Sequence, residues 1–351
     1  MVPFETRQYT DSQVKRAGEK LKDPGSLTEQ ERADALAVLN NYRLLHYAPL
    51  NTFQATLRRR LKALGLEGAI VAQRIKRLPT ILEKLQRFRG MQLNRMQDIG
   101  GIRTITANME ELDRICAAYS GPQGKFLHKI VRTDDYVATP KDSGYRGRHV
   151  VFRYHHEQPD YNGLHVEMQF RTRLQHVWAT AVETFEAFMG EHFKSSMGNT
   201  RWLDFFALVS SAYAIMEQQP VLPRHRGLAA AEIHSTISAM VQELGVMDKI
   251  QLFSAVSRQL PHITKEKDSY AVLVLDTYEK SVQVKFFPVQ QYRLAYESYA
   301  REEHRSQDEP TRQIVLVKTG SLKRLQKAYP NYFADLKEFK QKLLKIMESA
   351  G

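Results

Sequence analysis

In the stretch LHVEMQFRT (164–172), apolar and polar residues alternate. A strand turns successive side chains to opposite faces, so Leu164, Val166, Met168 and Phe170 share one face and His165, Glu167, Gln169 and Arg171 the other. The second set aligns a carboxylate, an amide and a guanidinium, a combination suited to a nucleotide and a metal. A sheet with one solvated face is the plainer reading of the same pattern. Asp98 supplies a second carboxylate. It stands in RMQDIGGIR at the entrance to a strand, followed by two glycines that admit another group close to the backbone. Asp98 and Glu167 are a candidate Mg²⁺ pair, because that cation takes one or two carboxylates together with phosphate oxygens.

A third feature is TPKDSGYRGRHVVF (139–152), where Tyr145 follows Gly144 beside Arg146 and Arg148. Such a ring either packs into a core or offers a flat surface to a base. The common phosphate signatures are absent: there is no G-x-x-x-x-G-K-[ST], no G-x-G-x-x-G, no G-x-S-x-G, and no His-Asp dyad.

The formal net charge of +12 points to a polyanionic partner. It is concentrated between residues 51 and 100, where eleven basic residues meet only Glu67, Glu83 and Asp98. Arg58, Arg59, Arg60 and Lys62 lie together there as candidate contacts to a nucleic-acid backbone, with a solvated helix face as the alternative. No apolar run approaches the roughly 18 residues of a membrane span. MVPFETR lacks a signal pattern, and Cys116 is the single cysteine. A cytoplasmic protein with no membrane partner, no disulfide and no thiolate zinc cluster is expected.

These residues need elements to carry them. Ser26–Glu29 reads as a capping box opening a helix to about Tyr47, stopped by Pro49. NTFQATLRRRLKAL and LPTILEKLQRF read as helices, and IGGIRTITA as a strand followed by the helix MEELDRICAAYS. HKIVRTDDYVA, RHVVFRYH and LHVEMQFRT read as strands, and two further helices run to about Gln219. QPVLPRHRG reads as a linker before a helical stretch. A hairpin, a third strand RQIVLVK and a final amphipathic helix from about Asn331 complete the chain. The expected organisation is residues 1–222, helical linker 223–265, and a small C-terminal unit 266–351.

RIKRLPTILEKL (74–85), DIGGIRTI (98–105), TPKDSGYRGRH (139–149) and HVEMQFRTRLQHVWA (165–179) follow one another as they do in RelA/SpoT-type alarmone synthetases, which the chain resembles. The resemblance implies an α+β fold with a nucleotidyltransferase-like mixed sheet flanked by helices. It also implies transfer of pyrophosphate from ATP to a ribose hydroxyl. On it, Asp98 and Glu167 bind Mg²⁺ and Glu167 activates the acceptor. Arg74 and Arg103 clamp adenine, Lys76 and Lys84 lie near the phosphates, and Gln169 and Arg171 join the ATP site. Tyr145 stacks on the acceptor base, with Arg146, Arg148 and His149 beside it.

The loop departs from the PNGYRSLH pattern of members that make guanosine alarmones, and Glu183-Thr184 stands where Glu-His is usual. The chain therefore looks closer to toxic small synthetases that modify the 3′ end of tRNA. (p)ppGpp or (p)ppApp synthesis from free nucleotides is the alternative. With its C-terminal part the chain resembles the CapRel type of fused toxin–antitoxin, which implies a zinc-finger-like C-terminal domain without zinc and release by a phage structural, capsid-like protein. Tyr329 and Tyr332 form the Y-x-x-Y of that resemblance, which implies autoinhibition at the ATP site. Tyr332, Leu336, Phe339, Leu343 and Ile346 also form a helical stripe, so Tyr332 is expected to pack, leaving Tyr329 as the better switch. Deletion of 266–351 is expected to burden growth.

Overall fold

The computed structural model describes residues 5–120, 127–190, 199–254, 269–306, 309, 311–319 and 322–349. The chain opens with helices α1 (Asp11–Lys20), α2 (Glu29–Leu45) and α3 (Tyr47–Ala63). The capping box of α2 joins Thr28 and Glu31, later than Ser26–Glu29, because Ser26 ends a 3-10 turn and donates its hydroxyl to the Asp23 carbonyl. Nor does Pro49 stop a helix. It lies in the first turn of α3, where a missing N–H costs little.

Then come β1 (Ile70–Ile75), α4 (Leu78–Arg87), β2 (Gly100–Thr106), α5 (Met109–Ser120), β3 (Lys129–Asp135), β4 (Arg148–Arg153) and β5 (His165–Thr172). Helices α6 (Arg173–Met189), α7 (Thr200–Met216), α8 (Ala230–Glu243) and α9 (Val246–Ser254) follow. The C-terminal part holds β6 (Ser269–Asp276), β7 (Ser281–Pro288), α10 (Tyr292–Arg305), β8 (Arg312–Thr319), α11 (Leu322–Ala328) and α12 (Lys337–Glu348). The sequence pattern did not show α1, β1, α10 or α11.

The eight strands among the described residues form one sheet in the order β3-β4-β5-β2-β1-β8-β6-β7. β2 and β5 run parallel, and every other pair is antiparallel. The expected α+β fold, a mixed sheet flanked by helices, is what the chain adopts. The C-terminal strands continue that sheet through a short join, Gln73 opposite Lys318 and Arg74 opposite Val317.

Helices cover both faces. Ile102, Val166, Met168 and Phe170 point into a core with α2, α3 and α5, which α10 extends through Tyr292 and Tyr299. On the other face Trp178, Phe185 and Phe206 share a second core with Ala271, Val317, Tyr332 and Phe339. The expected stripe from Tyr332 to Ile346 is buried throughout. Its helix begins later than Asn331, at Lys337, because a 3-10 turn over Pro330–Phe333 and a left-handed Ala334 (φ 47°) come first. Within QPVLPRHRG, Leu222 and His225 are buried and both hydrogen-bond the Ser211 hydroxyl, so α7 anchors this stretch. Residues 255–265 of the expected linker lie outside the described residues. Among those described, no helix is long and apolar enough to cross a membrane.

Candidate active site

The strand alternation decides which side chains meet. Across β1, β2, β5 and β4 the register pairs Arg74 with Gly101, Gly101 with Glu167, Arg103 with Gln169, and Gln169 with His149. One sheet face therefore carries Arg74, Arg103, Glu167, Gln169, Arg171 and His149. They line a cavity of ≈ 580 Å³ together with Lys76, Lys84, Asp98, Tyr145 and Tyr329. Of the side chains named for catalysis, metal and ATP, all eight are brought together here.

Asp98 lies just before β2, reached by Lys76 from the end of β1 and Lys84 from α4. Lys76 Nζ donates to Oδ2 at 3.0 Å, and Lys84 Nζ reaches both carboxylate oxygens at 2.9 Å. Burial raises the Asp98 pKa, but the two ammonium groups outweigh it and hold it at about 2. Glu167 accepts from His149 Nδ1 at 2.9 Å and from Gln169 Nε2 at 2.7 Å. Burial opposes its ionisation and the charge of Asp98 adds to that, yet the His149 contact keeps its pKa below the ordinary value. Both carboxylates are thus anionic and near enough to feel one another. They fit a hard divalent cation that takes its remaining ligands from water and phosphate. Among the described residues, no cluster of three or more His, Cys, Asp or Glu offers a fuller cage.

A buried hydrogen-bonded chain runs behind Glu167. Tyr145 Oη lies 2.6 Å from His149 Nε2 and accepts from Arg171 Nη2 at 2.7 Å. With a neutral imidazole the three bonds run in one direction, Arg171 to Tyr145, Tyr145 to Nε2, and Nδ1 to Glu167. Arg171 Nε and Nη1 are buried without a partner among the described residues. Burial raises the Tyr145 pKa, but Arg171 and His149 reverse this and bring the phenol down to about 7. The Tyr145 ring, 7 % exposed, has Arg171 4.9 Å and Lys141 5.3 Å from its centroid. The ring is packed as a support for His149 and is also part of the cavity wall. The half-buried ring at the cavity is Tyr136, in edge contact with Tyr145 at 5.8 Å and beneath Lys141 at 4.5 Å. Sequence reasoning passed over it as the end of a strand.

Gly144 does hinge the loop. Its φ is +93°, and a Cβ there would sit 2.9 Å from Ser210 and 3.0 Å from Trp178. Two neighbouring arginines leave the site. Arg146 is 4 % exposed, donates to Ser210 Oγ and the Val137 carbonyl, and has its pKa lowered by burial to about 10. It braces the loop against α7. Arg148 belongs to the opposite sheet face with Val150 and Phe152, and pairs there with Asp113 and Asp135. Neither contacts the cavity, which corrects both as acceptor ligands; His149, one residue on, does line it.

Of the basic residues of α3, Arg60 donates to the Ala118 carbonyl and lies 4.6 Å over Tyr119, so it braces α5 and is no free phosphate contact. Arg59 is exposed. Arg58 and Lys62 line a second cavity of ≈ 380 Å³ with Lys318 and Lys327, and Tyr329 is a wall common to both cavities. Tyr329 is 3 % exposed and donates its hydroxyl to the Gln73 carbonyl at 3.0 Å. Its ring lies 6.0 Å from the Arg103 guanidinium, which Glu183 also faces at 3.9 Å. Burial, with Arg171 nearby, lowers the Arg103 pKa to about 10. Glu183 is a site residue that the sequence reading met only as a departure from a pattern. Tyr332, 6.4 Å from Tyr329 between ring centroids, stays in the core.

Residues 73–186 match the model of the region found in RelA / SpoT proteins. The chain is 31% identical over 116 residues to the GTP pyrophosphokinase YjbM of Bacillus subtilis, covering 31% of this chain and 52% of that protein. It is 28% identical over 136 residues to the GTP pyrophosphokinase of Haemophilus influenzae, covering 39% of this chain and 16% of that protein. The chain thus spans about half the length, or less, of these curated relatives. Among solved structures, it is similar to small alarmone synthetase 1 from Bacillus subtilis bound to its product pppGpp. There the TM-score is 0.43 at 22% identity, over 51% of this chain and 92% of that one. Small alarmone synthetase 2 of the same organism gives a TM-score of 0.44 at 18% identity, over 51% and 94%. Residues 73–186 of this chain are therefore a region of the RelA/SpoT alarmone synthetase superfamily.

Proposed function

We propose that the chain is a Mg²⁺-dependent pyrophosphokinase that uses ATP as donor and the 3′ end of tRNA as acceptor, restrained by its own C-terminal part. One observation carries the catalytic reading: Asp98 and Glu167 are both anionic in one cavity that also gathers Lys76, Lys84, Arg74 and Arg103.

Magnesium held by Asp98 and Glu167 would offset negative charge on the polyphosphate. Lys76 and Lys84 hold the phosphate oxygens, and Arg74 and Arg103 hold the adenine end. Glu167 takes the proton of the acceptor hydroxyl, whose oxygen attacks the β-phosphorus. The bond from that phosphorus to the α-phosphate oxygen breaks, and AMP leaves. His149, braced by Tyr145, orients Glu167 for this. Positioning and charge neutralisation account for most of such catalysis.

Restraint is supported by Tyr329, whose ring lies against Arg103 and whose hydroxyl is tied to Gln73, beside Arg74. A ring there competes with adenine. The tRNA acceptor is supported by Arg58, Lys62, Lys318 and Lys327 around the adjoining cavity, a set suited to a phosphate backbone. A terminal adenosine would meet Tyr136. Release by a phage structural protein, as a form of antiviral defence, follows from the resemblance to fused toxin–antitoxins.

The alternative acceptor is a free nucleotide, favoured by relatives named GTP pyrophosphokinases. Full-length Tyr329→Ala protein, supplied with Mg²⁺ and γ-labelled ATP, separates the two. Label entering deacylated tRNA supports the proposal. Label entering only GDP, GTP or ATP replaces it with the alternative.

A further inference from the structure

Arg43 of α2 is 1 % exposed and meets a carboxylate from the far end of the chain. Its Nη1 lies 3.0 Å from Glu303 Oε2 on α10, and its Nη2 donates to the Tyr299 hydroxyl at 2.6 Å. Tyr299 donates in turn to Glu303, one helical turn on. Arg43 Nη1 also donates to Asn40 Oδ1 at 2.9 Å, and the other bonds of this buried group go to one short backbone stretch. Arg43 Nε and Nη2 donate to the Lys76 carbonyl at 3.2 and 3.0 Å, and Glu303 Oε1 accepts from the Leu78 amide at 2.8 Å. Leu78 is the first residue of α4, whose N-cap, Arg77, makes no side-chain cap. Glu303 supplies that missing acceptor, and its charge suits the positive end of the helix.

The stretch so clamped is the one that aims the donor-site lysines. Lys76 leaves it towards Asp98, and α4 carries Lys84 to the same carboxylate. We propose that Glu303 is a positioning residue of the donor site: with Arg43 it fixes the 76–78 backbone, so the C-terminal part completes the site that Tyr329 restrains. This rests on the pyrophosphokinase reading. Removing the C-terminal part would take away the brace along with the plug, so truncation is not equivalent to a Tyr329 substitution.

The test uses the full chain carrying Tyr329→Ala, alone and with Glu303→Gln or with Arg43→Met/Glu303→Met. Gln keeps the shape and loses the charge. The double substitution replaces a buried ion pair by apolar groups, a change that folded proteins tolerate. Each is expected to raise KM for ATP about ten-fold, the scale of one lost hydrogen bond to a charged group, with KM for the acceptor unchanged. Amide hydrogen exchange over residues 76–85 should quicken while that over 164–172 holds. Unchanged KM and exchange in folded variants overturn the proposal. So does a uniform rise in exchange with both KM values altered, which marks general loosening. If the Tyr329→Ala parent transfers label to no acceptor, the functional reading fails, and the exchange comparison still decides the positioning role.

Discussion

Tyr329 gives the most quantitative handle on restraint. Tyr329→Phe removes one hydrogen bond, that to the Gln73 carbonyl, and leaves the ring against Arg103. A net loss of about 1 kcal/mol is expected for such a bond. Restraint of this kind is an equilibrium between docked and withdrawn rings, in which 1 kcal/mol is roughly a five-fold change. Tyr329→Ala also removes a ring that is 3 % exposed. Truncating a buried aromatic costs about 3–5 kcal/mol. Taking about 3 kcal/mol as the share felt only when docked gives roughly a 150-fold shift. While the withdrawn form stays scarce, the initial rate follows this equilibrium. The assay is label transfer from γ-labelled ATP to deacylated tRNA by the full chain, so that Glu303 stays in place. Rates are expected to rise from wild type through Phe to Ala. Folded proteins of equal rate, or an Ala variant slower than wild type, would refute the reasoning.

The remaining predictions concern the site's electrostatics and loop. Asp98 has a folded pKa of about 2, below its ordinary value, so its pairing stabilises the fold at neutral pH and that contribution fades as pH falls through about 2. Lys84→Met is therefore expected to cost at most about 2 kcal/mol at pH 7 and almost nothing near pH 2; urea unfolding at both values checks this. Gly144→Ala forces a side chain into left-handed backbone against Ser210 and Trp178, and should lower stability by about 1–3 kcal/mol in the same assay. Tyr136→Ala should raise the acceptor KM by roughly 5- to 150-fold, the value of one stacked base. Arg146→Met should lower the melting temperature and leave that KM alone, because Arg146 faces α7.

How far the site was legible in the sequence follows from the range of each interaction. Alternation in HVEMQFRT placed Glu167, Gln169 and Arg171 on one face, because strand geometry is local. The same rule applied to RGRHVVF separates Arg148, with Val150 and Phe152, from His149. Taking both as acceptor ligands beside Tyr145 passed over that difference. Arg146 was misread because a buried arginine bound to Ser210 looks, in sequence, like one waiting for a phosphate. β1 went unseen since AIVAQRI breaks its apolar run with Gln73 and Arg74, whose partners lie on β2 and β8. The Arg43–Glu303 pair spans most of the chain and leaves no local pattern. Tyr329 stood out because Pro330 follows it and the apolar stripe misses it, and both are local facts.

The central claim is that Asp98 and Glu167 form a metal-dependent pyrophosphoryl-transfer site, and adding Glu167→Gln to the full-length Tyr329→Ala protein tests it most directly. The rate of label transfer from γ-labelled ATP would be measured with and without Mg²⁺. Transfer should require Mg²⁺ and fall at least about 100-fold once an amide replaces the general base, while a non-hydrolysable ATP analogue still binds. Transfer that survives Glu167→Gln would contradict the account.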